Sequence, residues 1–221
     1  MKNSHNGFFI TFEGPDGSGK TSVIKVVEDW LKKNDYNHLI TKEPGSKLNK
    51  ICQQIRELIL NPDSDIDKKT ELFLMLADRC NHVNKVILPA LQEGKIIISD
   101  RFIDSTLAYQ GYGRRFGDPS ALEIINLFNN YSISNTFPDL TFIIIIDPEI
   151  GLQRATTTEF GKKDRFEQEK LQFHQRVCEG YEDIYNLKEY YNRDIVLINS
   201  TDKSINEVAE IAIKNIENRI K

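Results

Sequence analysis

Phe8-Phe9-Ile10-Thr11-Phe12 is followed by Glu13 and then by Gly14-Pro15-Asp16-Gly17-Ser18-Gly19-Lys20-Thr21, after which residues to about Lys33 read as helix. A short apolar β-rich run, a glycine-rich turn and a helix start, in that order, complete the Walker A pattern, and both flanks argue against a chance glycine turn. The pattern has a physical logic. Gly14, Gly17 and Gly19 let backbone N–H groups turn inward around phosphate oxygens, and the helix N-terminus adds its dipole. With Pro15, Asp16 and Ser18 they form the cradle in which Lys20 would set a point charge on the β/γ-phosphates and the Thr21 hydroxyl would ligate Mg²⁺.

Outward from this loop, strands alternate with helices. His38 to Thr41, Lys95 to Asp100, Leu140 to Asp147 and Asp194 to Ile198 read as strands. Helices are expected over 48–60, 68–92, 104–110 and 205–220, with a further helix after Pro148 and another carrying Phe166, Leu171, Val177, Tyr181 and Ile184 on one face. Pro89 is expected to kink or shorten the second of these. The unbroken apolar run Phe142 to Ile146 suits a strand buried on both faces of a parallel sheet. The predicted fold is therefore α/β, a three-layer α/β/α P-loop NTPase with a five-stranded, mostly parallel sheet, read as a single domain over 1–221 with ligands at the carboxyl ends of the strands.

The totals bound the function. With 221 residues, 39% hydrophobic and 28% charged, the chain can bury a core and is not disordered. Twenty-nine basic against thirty-three acidic residues, without blocks of either sign, give a net charge of −4 and argue against a nucleic-acid surface, so anionic ligands must meet a local basic cluster. Cys52, Cys80 and Cys178 have no metal-ligand spacing and read as reduced thiols. No signal-peptide core precedes Phe8 and no run is long enough to span a bilayer, so a cytoplasmic protein is expected, with no membrane partner.

An acid at a neighbouring strand end usually holds the metal of a P-loop protein. Asp100 and Asp147 both fit; Asp100 is preferred because Arg101 follows it directly, while Asp147 before Pro148 reads first as a helix N-cap. Glu13 either assists the metal or accepts backbone hydrogen bonds. No guanine-reading Asn-Lys-x-Asp occurs, and the chain is compact for a transport or motor ATPase. Arg56, Arg79 and Arg101 come from different elements and could converge on an acceptor phosphate, which favours a small kinase; taken singly, each reads equally well as a solvated helix-face arginine.

The chain resembles bacterial thymidylate kinases in Phe12-Glu13-Gly14, Lys42-Glu43-Pro44-Gly45, Ile55-Arg56-Glu57-Leu58, Glu71 to His82 and Pro89-Ala90-Leu91. The resemblance continues through Asp100-Arg101-Phe102, Ser105 to Gly111, Asp164-Arg165-Phe166-Glu167, Phe173 to Tyr181 and Asn199-Ser200-Thr201. It implies an enzyme that passes the γ-phosphoryl group of ATP to dTMP, with Mg²⁺, in a homodimer. It also implies that Asp16 bonds the acceptor's 3′-hydroxyl, that Arg56, Arg79 and Arg101 hold its phosphate, and that Ser105, Tyr109 and Gln110 line the sugar and pyrimidine.

The departures from that family are local. Gly17 stands where some members carry a P-loop arginine, which groups the chain with those whose catalytic arginines lie in a lid. The lid, about 154–166, is long and poor in arginine; Arg165 and then Arg154 are expected to act, with Lys162 or Lys163 compensating. Met75 replaces the usual thymine-stacking Phe, and Phe73 is expected to pack in the core. The alternatives are a nucleotide or deoxynucleoside kinase with another acceptor, or a nucleotide-binding switch; intact Lys20, Thr21, Asp100 and Arg101 speak against the switch.

Overall fold

The structure, a computed structural model, describes residues 6–116, 119–157, 164–189 and 191–220. Five strands, β1 (Phe8–Glu13), β2 (His38–Lys42), β3 (Ile96–Asp100), β4 (Leu140–Ile145) and β5 (Ile195–Asn199), form one sheet in the order β2-β3-β1-β4-β5. Every pairing is parallel, with Ile10 beside Ile98 and Leu140. Because the chain fills one side of β1 with β2 and β3 and the other with β4 and β5, the carboxyl end of β1 is the switch point, where an α/β sheet opens a crevice.

Successive side chains of a strand point to opposite faces, and here both faces are covered. Ile10, Phe12, Ile98, Phe142 and Ile144 meet α1 (Lys20–Lys33) and α9 (Ile205–Glu217) through Val23, Val27, Ala209 and Ala212. Phe9 and Ile97 face the other layer, against Val83, Ile87 and Leu91. Ile143 and Ile195 on that face meet Val177 and Tyr181 of α8 (Leu171–Asn186). Each large apolar side chain so buried stabilises the fold by about 1.5–3 kcal/mol before the entropy of ordering is charged against it.

Several boundaries moved, each for a local reason. The helix expected from Leu48 starts at Lys50, because the Asn49 side chain caps it by accepting from the Ile51 and Cys52 N–H groups; it is α2 (Lys50–Leu60). The span expected over 68–92 divides into α3 (Lys68–His82), a π-helical turn at Val83–Ile87 and α4 (Leu88–Gln92), the register changing just ahead of Pro89, which has no N–H to donate. The next helix begins as α5 (Ile103–Thr106) and continues as a π-helix over Leu107–Gly113.

The sequence reading placed no element at α6 (Pro119–Ser132), whose inward side includes Ile125, Asn129 and Ser132. Two of those three are polar, which hid the apolar stripe. Phe166 precedes its helix: Asp164 accepts from the Phe166 and Glu167 N–H groups in a turn, and α8 begins only at Leu171. Phe73 is a correction as well. It is 54% exposed and touches Phe128 of α6 at 5.8 Å between ring centroids instead of entering the core. Among the described residues no helix is long and apolar enough to cross a membrane. The lid residues 158–163, including Lys162 and Lys163, lie outside the described residues.

Candidate active site

The phosphate loop bends at the end of β1 against the start of α7 (Pro148–Thr157). Gly17 has φ +76°, and a Cβ there would lie 2.0 Å from the Gly151 carbonyl oxygen. Neither backbone can yield cheaply, so this packing, and not only phosphate access, excludes a side chain such as arginine at Gly17. Lys20 folds over the loop, donating to Gly14 O at 3.0 Å and Pro15 O at 2.8 Å. Burial, and after it the charge of Arg101, push its pKa down to about 8, against the pull of Asp100, Asp16 and Glu13. Beside it the Thr21 hydroxyl donates to Asp100 Oδ2 at 2.9 Å, joining the first turn of α1 to the end of β3.

Arg101 leaves β3 with φ +73°, a left-handed conformation that costs a non-glycine residue about 1–2 kcal/mol. That turn sends its guanidinium back over the loop, where it donates to Gly14 O at 2.9 Å, Tyr109 OH at 2.9 Å and Asp16 Oδ1. The Tyr109 hydroxyl in turn donates to Asp16 Oδ2 at 2.8 Å. Burial alone would raise the Asp16 pKa, but Arg101 and Lys20 outweigh it and hold the carboxylate below 3.8. Asp16 is therefore a charged wall shared by the phosphate loop and the cleft behind it.

That cleft takes in Arg56, Met75, Arg79, Ser105, Tyr109 and Gln110 with Asp16 and Arg101, so the acceptor residues expected from the sequence come together. They differ in how free they are. Arg56 donates to Pro44 O at 2.8 Å. Arg79 is buried and spends its donors on Glu43, Thr106, Asn129 and the Phe102 carbonyl, so it ties α3 to three neighbouring segments as well as lining the cleft. Glu13 is fully buried, accepting from the Phe102 N–H at 2.7 Å and the Ser105 hydroxyl at 2.6 Å. Of its two readings, the structure therefore displays the backbone acceptor. Asp147 caps α7, accepting from the Glu149 and Ile150 N–H groups.

The two lid arginines part company. Arg154 is exposed near the end of α7, one turn beyond Gly151. Arg165 is folded against α2 and α3, bonding Ile59 O, Ile66 O and the Glu71 carboxylate. Three polar participants were missed in the sequence. Tyr181 counted as a core position, yet its hydroxyl meets Ser105 at 2.9 Å and Arg101 at 3.3 Å. Glu43 bridges Arg79 and His82 from a loop. Glu71, in the first turn of α3, stood in the sequence only as the first residue of a quoted family stretch but is wholly buried under the cleft.

The chain is similar to known proteins along nearly its whole length. The profile of the family described as thymidylate kinase matches residues 12–211. The thymidylate kinase of Lactobacillus helveticus is 43% identical over 216 residues, covering 97% of each chain. That of Maridesulfovibrio salexigens is 46% identical over 220 residues, covering 96% of each. The crystal structure of thymidylate kinase from Ehrlichia chaffeensis superposes with a TM-score of 0.72 at 32% identity, over 96% of this chain and 98% of that one. With a phosphate loop and an arginine-lined cleft meeting at Asp16, and relatives alike along almost their whole length, the chain belongs to the thymidylate kinase family.

Proposed function

We propose that this enzyme transfers the γ-phosphoryl group of ATP to dTMP, giving dTDP and ADP, in a single P-loop kinase domain. The observation that carries the reading is Asp16: a residue of the phosphate loop is bonded to Arg101 and Tyr109 of the cleft, so donor and acceptor sites share one wall. Phosphoryl transfer needs no protein nucleophile; it needs two phosphates aligned and their charge neutralised. Gly14 to Thr21 would cradle the ATP phosphates. Lys20, whose bonds are to loop oxygens, would turn to the β/γ-phosphates, and Arg101 and Arg56 would hold the acceptor phosphate.

The Thr21 hydroxyl and Asp100 carboxylate are paired hard oxygen donors, which suit Mg²⁺ completed by phosphate oxygens and water. Such an ion would neutralise charge on the β- and γ-phosphates. Arg154 and Arg165, at the two edges of the lid, would close the site and exclude water. A coupled ADP-release assay with Mg·ATP and dTMP, dUMP, dCMP, AMP, GMP or thymidine tests the assignment. Fastest turnover is expected with dTMP, and faster turnover with any other acceptor would refute it.

A homodimer is part of the same proposal. Phe73, Ile124, Leu127 and Tyr131 are exposed on α3 and α6, helices that touch through Phe73 and Phe128, and a second copy would cover that apolar face. Light scattering during gel filtration should give twice the mass of one chain.

A further inference from the structure

Gln110 stands in the π-helical turn that follows α5, and its amide nitrogen donates to Glu71 Oε1 at 2.9 Å. Glu71 is itself gripped by two guanidinium groups. Arg114 donates to Oε1 at 3.0 Å and to Oε2 at 2.9 Å, and Arg165 donates to Oε2. Arg114 is anchored in turn by Glu169 and by the faces of Phe166 and Phe173, 5.2 and 4.9 Å from the ring centroids. A carboxylate paired with two arginines can only accept hydrogen bonds. The carboxamide of Gln110 is therefore not free to turn over: its nitrogen must face Glu71. Gln110 is 1% exposed and lines the cleft, and its oxygen is bonded to none of the described residues.

We propose that Glu71 is a positioning residue that fixes Gln110 with its carbonyl oxygen toward the acceptor, and so makes the site select a base with a ring N–H over one with a lone pair at the same place. The proposal rests on the dTMP reading above and sharpens it. A 2,4-dioxopyrimidine such as thymine carries a hydrogen on N3; a 4-amino-2-oxopyrimidine such as cytosine carries a lone pair there, and would set two acceptors against each other. The discrimination thus originates in a residue whose carboxylate reaches the base only through Gln110. Arg114 and Arg165 hold the charge that makes it work.

The test is Glu71→Gln assayed with dTMP and with 5-methyl-dCMP, which share the methyl group and differ only at the N3 and C4 edge. In the variant the two arginines take the new amide oxygen, its NH₂ turns to Gln110, and Gln110 reverses to present its own NH₂ to the base. The ratio of kcat/KM for dTMP over 5-methyl-dCMP should fall about ten- to a hundredfold. Because the ratio is taken within one preparation, any unfolded fraction cancels. An equal loss with both acceptors, the ratio unchanged, would overturn the inference. Failure of the unmutated enzyme to use dTMP would instead sink the functional reading.

Should Glu71→Gln not fold, Gln110→Glu keeps Glu71 and its arginines in place. Two carboxyl groups in contact share one proton, which the arginines and their partner Glu169 leave on residue 110. The KM for dTMP in that variant should rise with pH along a titration absent from the unmutated enzyme. A flat profile would show that Glu71 does not govern residue 110.

Discussion

Replacing Glu13 by Gln should make the folded chain less sensitive to pH, in a direction and amount that the site sets. Glu13 has no exposed surface and lies beside Asp104; burial first, and then that second acid, raise its pKa from 4.5 to about 7, with Ser105, Arg101 and Arg79 pulling the other way. Between those values the folded chain holds a proton that the unfolded chain has lost. Stability contributed by this group is thus fully present below pH 4.5 and drains away as pH rises through about 7. At about 1.4 kcal/mol per pH unit, the loss is about 3 kcal/mol.

Glu13→Gln carries no such titration. Its oxygen can keep the Phe102 N–H, and its NH₂ can donate to the Ser105 and Tyr181 hydroxyls. Urea unfolding at a series of pH values should show the variant gaining about 3 kcal/mol on the unmutated chain between about pH 4.5 and pH 8. Other titrating groups are common to both chains and cancel in the difference. Parallel curves, or a difference of the opposite sign, would refute the reasoning.

Arg101→Ala should lower kcat/KM about a thousandfold, since it removes a charge from both phosphate sites, and should also destabilise the fold by about 3 kcal/mol because Asp16 loses its partner. Stopped-time kinetics and thermal melting separate the two effects, and near-normal turnover would exclude Arg101 from the site. Gly17→Ala should destabilise by roughly 2–4 kcal/mol, from left-handed backbone and from overlap with Gly151, as read by denaturant unfolding. Arg165→Ala should lower Tm by taking one of its two guanidinium partners from buried Glu71, whereas Arg154→Ala should lower kcat about tenfold or more. Indifference of kcat to both would shift the lid's catalytic charge to other side chains.

What the sequence alone determined about this protein was whatever depends on local order. The Phe8–Thr21 run specifies strand, loop and helix because each residue's conformational preference acts on its neighbours, and the alternating strands and helices leave few topologies open. Asp147 was legible as a cap for the same reason, its partners lying two and three residues ahead. The quoted family motifs carried the acceptor residues, since Arg56, Met75, Arg79, Tyr109 and Gln110 have no local signal that separates them from helix-face or helix-end residues.

Only the tertiary structure decided which charges meet. Glu71 and Gln110 are 39 residues apart, Glu13 and Ser105 92, and Arg165 reaches back 94 to Glu71. No periodicity encodes such pairs, because the free energy of a buried charge depends on what the fold places against it. Phe73 shows the same limit from the other side: a large aromatic on a helix is expected inward, yet α3 turns its buried side, with Leu72 and Leu76, toward the protein and leaves Phe73 outside. Gly17 joins the two levels. Its place in the motif marked a loop without an arginine, and the Gly151 carbonyl, 2.0 Å from where its Cβ would stand, supplies the packing reason.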